Sequence, residues 1–320
     1  MLRLLRREGA GLDAASEASA APGWRPPEDT IWIDLLNPTR AEELAVEDAL
    51  GLQLPTREEM AEIEPSSRLY QAHGGTFMTA TLLARRDGEA RTDAPVTFVL
   101  IKGLLITIRY NELRAFNLFA ERAHSLGVRT GTAALFNILD AAIERLADLL
   151  EKTAEDVESV SASIFRRPKG AQFEALLTEL ARAQSLTSMT RNSLVSLARL
   201  LSFASLAEEI ASDPECRAHL RSLQRDGQSL TEHAGFQSSH IAFLLDAALG
   251  LINIEQNGII KFFSVAAVIL MPPTLVASVY GMNFHHMPEL AWPYGYPMAL
   301  SFMAMSAIIP IIWFKRRGWF

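Results

Sequence analysis

The longest uncharged stretches of this chain lie near its C-terminus. No Asp, Glu, Lys or Arg occurs from Phe262 to Pro288, or from Tyr296 to Phe314. The apolar cores, Phe262–Tyr280 and Tyr296–Phe314, have 19 residues each. As helices they would be about 28 Å long, which matches the hydrocarbon layer of a bilayer. A buried soluble helix would explain one such run, but two in series with basic flanks predict a membrane-spanning hairpin.

Charges at the ends of this hairpin predict its orientation. Lys261 precedes the first run, and residues 315–317 after the second are all basic. The loop 281–295 contains Glu289 as its only Asp, Glu, Lys or Arg. Because basic flanks stay in the cytoplasm, we expect both termini inside the cell and the loop outside. Met1–Arg7 lacks the apolar stretch of a cleaved signal, so we expect the N-terminal part to be cytosolic.

Before the hairpin, the pattern changes from a strand-like to a helical period near residue 130. Three apolar runs rich in β-branched residues predict strands: Thr30–Leu35, Phe77–Ala84 and Val96–Arg109. Lys102-Gly103 interrupts the third as a hairpin turn would, and Thr39 with Glu42 predicts the capped start of a short helix. We expect an α/β domain over residues 29–130, preceded by a poorly ordered lead-in at 1–28.

Long helices are predicted from residue 131 up to the membrane. Apolar residues recur there at three- and four-residue intervals, and Phe173–Leu206 forms a second amphipathic stretch. A third stretch, Glu215–Tyr280, has no proline before the middle of the first apolar run. Unbroken, its 66 residues would be about 100 Å long. No globular core needs such a helix, so we expect residues 131–257 to be long cytoplasmic helices and a stalk that continues into a first span at 258–281.

Composition excludes several classes of function. The part before residue 255 holds 35 acidic and 26 basic residues, and this net charge of −9 argues against nucleic acid as a partner. Cys216 is the only cysteine, so neither an intrachain disulfide nor a thiolate metal cluster can form within the chain. The sequence contains no phosphate-binding glycine loop and no nucleophile–base pair, so we expect neither an ATP-driven pump nor an enzyme.

Motifs around the two spans resemble those of one known family. In and beside the loop between the spans lie Tyr280–Phe284, Met287–Leu290 and Tyr294–Pro297. Further segments of the same kind are Asn253–Asn257, Met271–Ser278, Phe314–Trp319 and, more weakly, Glu62–Arg68. Gly-Met-Asn alone is a weak signal, but here it stands at the outer end of the first span and is followed by Met-Pro-Glu-Leu. Together these segments resemble the CorA magnesium transporters.

The resemblance implies a mainly α protein with an N-terminal α/β cytoplasmic domain, assembled as a homopentameric funnel in the inner or plasma membrane. Five copies of the first span would line a pore, with the second span (296–314) outside them. Residues 282–295 would form the external loop, and residues 315–320 a basic cytoplasmic tail. The family carries Mg²⁺ inward, some members also carry Co²⁺ and Ni²⁺, and no covalent cofactor is implied.

One stripe of the first span matches the positions that line the pore in the family. On an ideal helix its six members fall within about 120°: Asn257, Ile260, Phe263, Met271, Thr274 and Ser278. The stripe is mostly apolar with small polar side chains, so it could exclude water when closed and conduct when wet. Residues at this spacing also commonly pack one helix against another. That this face of the helix lines a pore is therefore a hypothesis, and helix packing is the alternative.

Gly281, Met282 and Asn283 would form the selectivity filter. Ideal geometry places Asn283 on roughly the opposite side of the helix from the stripe, so it can face a pore only if the helix unwinds at Gly281. Mg²⁺ gives up its water reluctantly, and rings of Asn283 amide and Gly281 backbone carbonyls would hold the hydrated ion. A helix C-cap is the alternative role for Asn283.

The external loop contains one expected charge and one departure from the family. Five copies of Glu289 would concentrate cations at the entrance. The position after Phe284, often acidic in relatives, is His285, followed by His286. These histidines leave open a zinc-transporting member of the same superfamily, although Met287–Leu290 argues against it. A non-conducting, membrane-anchored coiled-coil sensor is the second alternative, in which the stripe would face lipid or a partner helix.

Transport without a pump needs a driving force and a mechanism that closes the pore. An interior-negative potential favours entry of a dication by about 4.6 kcal/mol per 100 mV. In the family, Mg²⁺ bound between a stalk acid and a neighbouring soluble domain closes the pore, so Mg²⁺ is both substrate and regulatory ligand. Asp246, eleven residues before Asn257, matches the stalk acid. Asp87, Glu89 and Asp93 are the candidates for its partner.

Overall fold

The computed structural model describes residues 1–6, 23–62, 64–84, 91–123, 127–166, 171–283 and 285–319. The chain divides into two compact units, Met1–Leu245 and Asp246–Phe320. The larger unit holds a sheet and long helices, and the smaller one holds the two apolar segments. Each unit is described by itself below.

Six strands form one mixed sheet in the order β1-β2-β6-β5-β4-β3. Their bounds are β1 Leu2–Arg6, β2 Thr30–Leu36, β3 Leu69–Ala72, β4 Gly75–Ala84, β5 Thr92–Ile101 and β6 Leu104–Arg109. β2 and β6 are parallel, and every other neighbouring pair is antiparallel. The predicted hairpin between β5 and β6 is confirmed, because Lys102 (φ 49°) and Gly103 (φ 79°) both have the positive φ of a type I′ turn.

Strand β1 was not expected. The prediction of a poorly ordered segment over residues 1–28 is wrong for Leu2–Arg6, which pairs antiparallel with β2 at the edge of the sheet. Burial of Leu2, Leu4 and Leu5 accounts for its order. Five residues at a chain terminus, without a turn signal beside them, are too short to show a strand pattern. Residues 7–22 of the lead-in lie outside the described residues.

Nine α-helices and one 3₁₀-helix (Pro288–Ala291) occur among the described residues. The α-helices are α1 Arg40–Leu50, α2 Arg57–Ala61, α3 Pro65–Arg68, α4 Arg114–Arg122, α5 Gly131–Phe165, α6 Ala171–Ala204, α7 Glu208–Ala211, α8 Pro214–Tyr280 and α9 Gly295–Arg316. α1 begins with the predicted capping box, in which Glu42 N–H donates to Thr39 Oγ1 at 3.3 Å and Thr39 N–H to Glu42 Oε2 at 2.8 Å. The long helices predicted beyond residue 130 are present.

Helices cover both faces of the sheet and create two apolar cores. One core joins the sheet to α4, α5 and α6, and its members include Trp32, Phe98, Phe116, Leu135 and Leu197. The other joins the opposite face to α1 and α2, and its members include Ile33, Phe77, Ile106, Val46 and Met60. Both faces of the central strands are therefore buried, as the continuous apolar runs of β5 and β6 require.

A buried ion pair connects the parallel strands β2 and β6. Asp34 and Arg109 are both fully buried. Arg109 donates from Nε to Asp34 Oδ1 at 3.0 Å and from Nη2 to Oδ2 at 2.7 Å. Thr107 Oγ1 also donates to Oδ1 at 2.8 Å, and Trp32 Nε1 donates to Thr107 Oγ1 at 2.9 Å. Arg109 lies 4.5 Å above the ring of Phe116, so every face of the pair is occupied by protein.

Polar contacts connect α8 to α5 and α6 within the first unit. Gln184 Nε2 on α6 donates to Ser238 Oγ at 2.7 Å. His219 Nε2 lies 2.9 Å from Asp140 Oδ2 on α5, and its ring stacks on Phe136 at 4.8 Å. Burial raises the pKa of Asp140, and the neighbouring His219 opposes that rise. The first part of α8 is therefore a packed member of a helical bundle.

We expect Gly131→Ala to destabilise the fold by about 1–3 kcal/mol, because α5 begins against the β5–β6 turn with no room for a side chain. Gly131 N–H donates to Gly103 O at 2.8 Å, and a Cβ at position 131 would lie 2.6 Å from that oxygen. The check is the thermal unfolding midpoint of the purified full chain, followed by circular dichroism.

Gly235→Ala is the matched control. A Cβ at Gly235, inside α8, would have no atom within 4 Å. Because alanine favours a helix over glycine by about 1 kcal/mol, this variant should be as stable as the wild type or more so. Equal unfolding midpoints for the two variants would contradict the close approach of α5 to the turn.

The two predicted spans are confirmed as helices. α8 has 67 residues and α9 has 22, and both contain windows long and apolar enough to cross a membrane, with mean hydropathy 2.0 and 1.8. Only 6% of the apolar segment in α8 and 11% of that in α9 is buried. The core helix of a soluble protein would be mostly buried, so the low burial of these segments fits membrane spans better than core helices.

Candidate functional site

The stripe predicted on the first span is uncovered along its whole length. All six members are exposed, and Ile260, Phe263 and Met271 are 61%, 66% and 68% exposed. The described residues of the unit Asp246–Phe320 therefore leave this face open. Large apolar side chains in a row on an open face are typical of contact with lipid, with another chain or with a narrow pore.

A second face of the same helix is packed. The half-buried or buried residues between 258 and 280 are Lys261, Val265, Ala266, Ile269, Pro272, Pro273, Val276 and Tyr280. On an ideal helix with Asn257 at zero, they cover the arc from about 40° to 180°, whereas the stripe covers about 240° to 360°. The centres of the two arcs lie about 170° apart. The packed face and the stripe are thus on opposite sides of α8.

The C-terminal end of α9 contacts α8 through aromatic side chains. Lys261 Nζ lies 5.1 Å above the ring of Trp319, which stacks on Phe314 with 5.1 Å between ring centroids. Phe314 and Ala299 of α9 are buried, as is Val265 of α8. We did not identify this contact from the sequence, in which the basic tail indicated only membrane orientation.

The helix ends where the predicted filter begins. α8 ends at Tyr280. Gly281 N–H still donates to Ala277 O at 2.9 Å, and Met282 N–H donates to Val279 O at 3.3 Å, as in a tightened last turn. Asn283 lies outside the helix and is exposed. The break that Asn283 requires in order to leave its helical position is therefore present at Gly281. The direction of the Asn283 amide stays a prediction.

The described loop residues do not gather three metal-ligating side chains within one chain. Glu289 lies in the 3₁₀-helix, and Glu289, His285 and His286 are all exposed. Among the described residues, no three His, Cys, Asp or Glu side chains come together as metal ligands. The described residues of a single loop therefore do not supply the ligands of a tetrahedral zinc site.

The acids predicted to regulate the pore are only partly described. Asp246 is exposed on α8, and Asp93 is exposed on β5, where it pairs with Leu83. Asp87 and Glu89 lie outside the described residues. The choice of partner for Asp246 therefore stays a prediction.

Comparisons with known proteins agree with this architecture. Residues 27–316 match the model of the family described as CorA-like Mg²⁺ transporter protein. The chain belongs to this family. The match covers strands β2–β6, the long helices and both apolar segments, and only β1 precedes it. The family consists of transporters, and the expectation that the chain is not an enzyme is confirmed.

Individual relatives cover nearly the full chain. The chain is 37% identical over 293 residues to the magnesium transport protein CorA of Salmonella typhimurium strain LT2 and equally to that of Escherichia coli K12, covering 91% of this chain and 92% of each relative. The structure of the CorA magnesium transporter from Methanocaldococcus jannaschii superposes with a TM-score of 0.77 at 18% identity, covering 92% of this chain and 93% of that one. At this identity, the superposition shows a shared fold.

Proposed function

We propose that this protein is a homopentameric channel that carries Mg²⁺ into the cell across the inner membrane. The proposal rests on one observation: α8 has two opposite faces in the membrane segment. One face is packed, and the other, which carries the predicted pore residues, is exposed. A relative 37% identical over most of the chain has the name magnesium transport protein, which supports Mg²⁺ as the substrate.

Opposed faces suit a ring of identical subunits. In a closed cyclic assembly, each subunit presents the same face to the axis and the opposite face to the periphery. The packed face of α8, which includes the buried Val265, would then point outward toward the second span. The stripe would point to the axis, where Thr274 and Ser278 would supply the only hydroxyl groups of the stripe. Apolar rings at Ile260, Phe263 and Met271 would close the pore by excluding water.

Selection of Mg²⁺ would take place before the ion enters this narrow path. Mg²⁺ keeps its water shell more tightly than larger dications do, so a filter for it should contact coordinated water and not the bare ion. Five Asn283 amides at the end of α8 would offer neutral oxygens for this contact, because the helix stops at Tyr280 and frees the backbone after it. Exposed Glu289 in each loop would raise the local cation concentration.

The membrane potential would drive entry, and cytoplasmic Mg²⁺ would limit it. With both termini in the cytoplasm, an interior-negative potential contributes about 4.6 kcal/mol per 100 mV for each dication. Asp246, exposed on α8, would bind regulatory Mg²⁺ together with an acid of another subunit, for which Asp87, Glu89 and Asp93 are the candidates. Loss of this Mg²⁺ would leave repelling carboxylates and favour opening.

Cysteine substitution tests which face of α8 meets water. The native Cys216 would first be changed to serine, although its reactivity is low because burial raises the pKa of its thiol to about 11. In that background, Ser278→Cys should react with a charged, membrane-impermeant thiol reagent. Mg²⁺ uptake into potential-driven proteoliposomes should then fall at least about tenfold, because a bulky ion would occupy the pore.

Val276→Cys is the matched control, two residues away and therefore at nearly the same depth. Val276 is half-buried on the packed face, so its cysteine should neither react nor affect uptake. Equal labelling at both positions, or labelling of Ser278→Cys without loss of uptake, would refute the pore assignment. Absence of potential-driven Mg²⁺ uptake in the unmodified protein would favour the non-conducting sensor.

A further inference from the structure

A row of three aromatic rings holds two cations at the end of the hairpin. Lys261 Nζ lies 5.1 Å above the ring of Trp319, and Arg317 Cζ lies 5.3 Å above the ring of Trp313. Phe314 lies between the two tryptophans, stacked on Trp319 at 5.1 Å and edge-on to Trp313 at 5.1 Å. We call these five residues the cation–aromatic cluster. Cation–π contacts keep each cation over a ring without neutralising its charge.

The helix terminus makes this cluster a built feature of the fold. Trp319 N–H donates to Phe314 O at 3.1 Å, and Gly318 N–H donates to Lys315 O at 3.2 Å. Gly318 has a φ of 68°, which places it in the left-handed region. This pattern is a Schellman motif, and the stacking of Trp319 on Phe314 is the apolar contact that usually accompanies it. The motif folds the tail back, so that Trp319 can meet Lys261.

The positive charge at this place has no acidic partner among the described residues. Lys261, Lys315, Arg316 and Arg317 form no ion pair there, and the acids of the same unit, Asp246, Glu255 and Glu289, form none either. Four cations without an acidic partner in the described part of the chain therefore lie where α9 ends and the apolar part of α8 begins. On the topology of the proposed function, this is the cytoplasmic surface of the bilayer, where phospholipid phosphates lie.

We propose that the cation–aromatic cluster binds the phosphate of an acidic phospholipid headgroup. Lys261 over Trp319 and Arg317 over Trp313 would each offer a donor to headgroup phosphate oxygens. Trp313 and Trp319 would lie at headgroup depth, which tryptophan prefers. Four positive charges favour a lipid with net negative charge over a zwitterionic one. Because α8 continues from this point through the span, a bound lipid would stabilise the contact between α8 and α9. The topology on which this rests is that of the proposed function.

Lipid binding is tested on the full chain in detergent, without any flux measurement. The thermal unfolding midpoint is recorded as phosphatidylglycerol or, separately, phosphatidylcholine is added. The wild type should be stabilised by phosphatidylglycerol and little by phosphatidylcholine. Lys261→Gln combined with Arg317→Gln should weaken phosphatidylglycerol binding about 25-fold, at about fivefold per charge. Lys152→Gln combined with Arg191→Gln makes the same charge change at exposed positions of α5 and α6 and should bind as the wild type does.

Three outcomes would overturn the proposal. They are equal stabilisation by the two lipids, an equal loss of binding in both double variants, and displacement of the lipid by soluble glycerol phosphate at the same concentration. This result is independent of the cysteine experiment. A protein that binds phosphatidylglycerol through the cluster but conducts no Mg²⁺ would refute only the proposed function, and the reverse pattern would refute only the lipid site.

Discussion

Asn283→Ala is expected to lower selective Mg²⁺ uptake at least about tenfold while leaving the amount of folded protein unchanged. Hydrogen bonds to charged groups contribute about 1.5–3 kcal/mol each, and about 1.4 kcal/mol corresponds to a tenfold change. Loss of one such contact to the water shell of the ion would therefore suffice, and the substitution would remove it from every subunit. Uptake is measured in proteoliposomes under an inside-negative potential, with Mg²⁺ and Zn²⁺ in parallel.

Two further variants separate the amide from other effects at this position. Asn192→Ala removes an exposed asparagine of α6 and should leave uptake unchanged. Asn283→Asp keeps an oxygen at the same place but adds charge, so it should bind the dication more tightly and slow its release. Unchanged Mg²⁺ uptake in Asn283→Ala would end the filter assignment. A wild type that carries Zn²⁺ faster than Mg²⁺ would instead select the zinc-transporting alternative.

Asp34→Ala is expected to destabilise the protein by about 3–5 kcal/mol, which corresponds to a fall of about 10 °C in the unfolding midpoint of the larger unit. The substitution leaves the Arg109 guanidinium buried without its carboxylate and removes the acceptor of the Thr107 hydroxyl. Because both β2 and β6 are interior strands of the sheet, a loosened contact between them would disturb the pairing on both sides. Thermal unfolding of the purified full chain in detergent measures the effect.

Asp148→Ala provides the comparison. Asp148 forms an ion pair with Arg145 at 3.7 Å, and its side chain is 60% exposed. Such pairs contribute about 0–1 kcal/mol, so the midpoint should change little. Replacing both partners of the buried pair, with Asp34→Leu and Arg109→Met, should recover part of the loss, since no unpaired charge would remain. A midpoint of Asp34→Ala equal to that of Asp148→Ala would mean that the buried pair is not structurally important.

Elements with a complete local signal were predictable from the sequence. The capping box at Thr39 and Glu42 needs only two side chains three residues apart, and the turn at Lys102-Gly103 needs only positive φ, which glycine adopts easily. The spans were predictable because hydrocarbon excludes charge over about 19 residues in succession. Each of these features is decided by neighbours in the chain.

Features that depend on distant residues were not predicted. β1 is ordered by burial against β2, about 30 residues away, and its five residues carry no pattern of their own. Asp34 and Arg109 are 75 residues apart and look like ordinary strand residues in the sequence. The contact of Lys261 with Trp319 depends on the reversal of the chain at Gly318. It joins the end of α9 to the membrane part of α8, and neither segment alone indicates it.

The candidate pore combines both kinds of information. The sequence by itself determined that two charge-free helices close the chain and that the first continues a very long helix, because hydropathy and helical period are local properties. The six positions that match the family's pore-lining set were taken from the resemblance, and helical period then placed them on one stripe. Only the tertiary structure decided which side of α8 is covered, since a contact such as that of Lys261 with Trp319 joins residues far apart in the chain. The structure supports the stripe as a candidate pore wall because the opposite face of α8 is packed and the stripe itself is exposed.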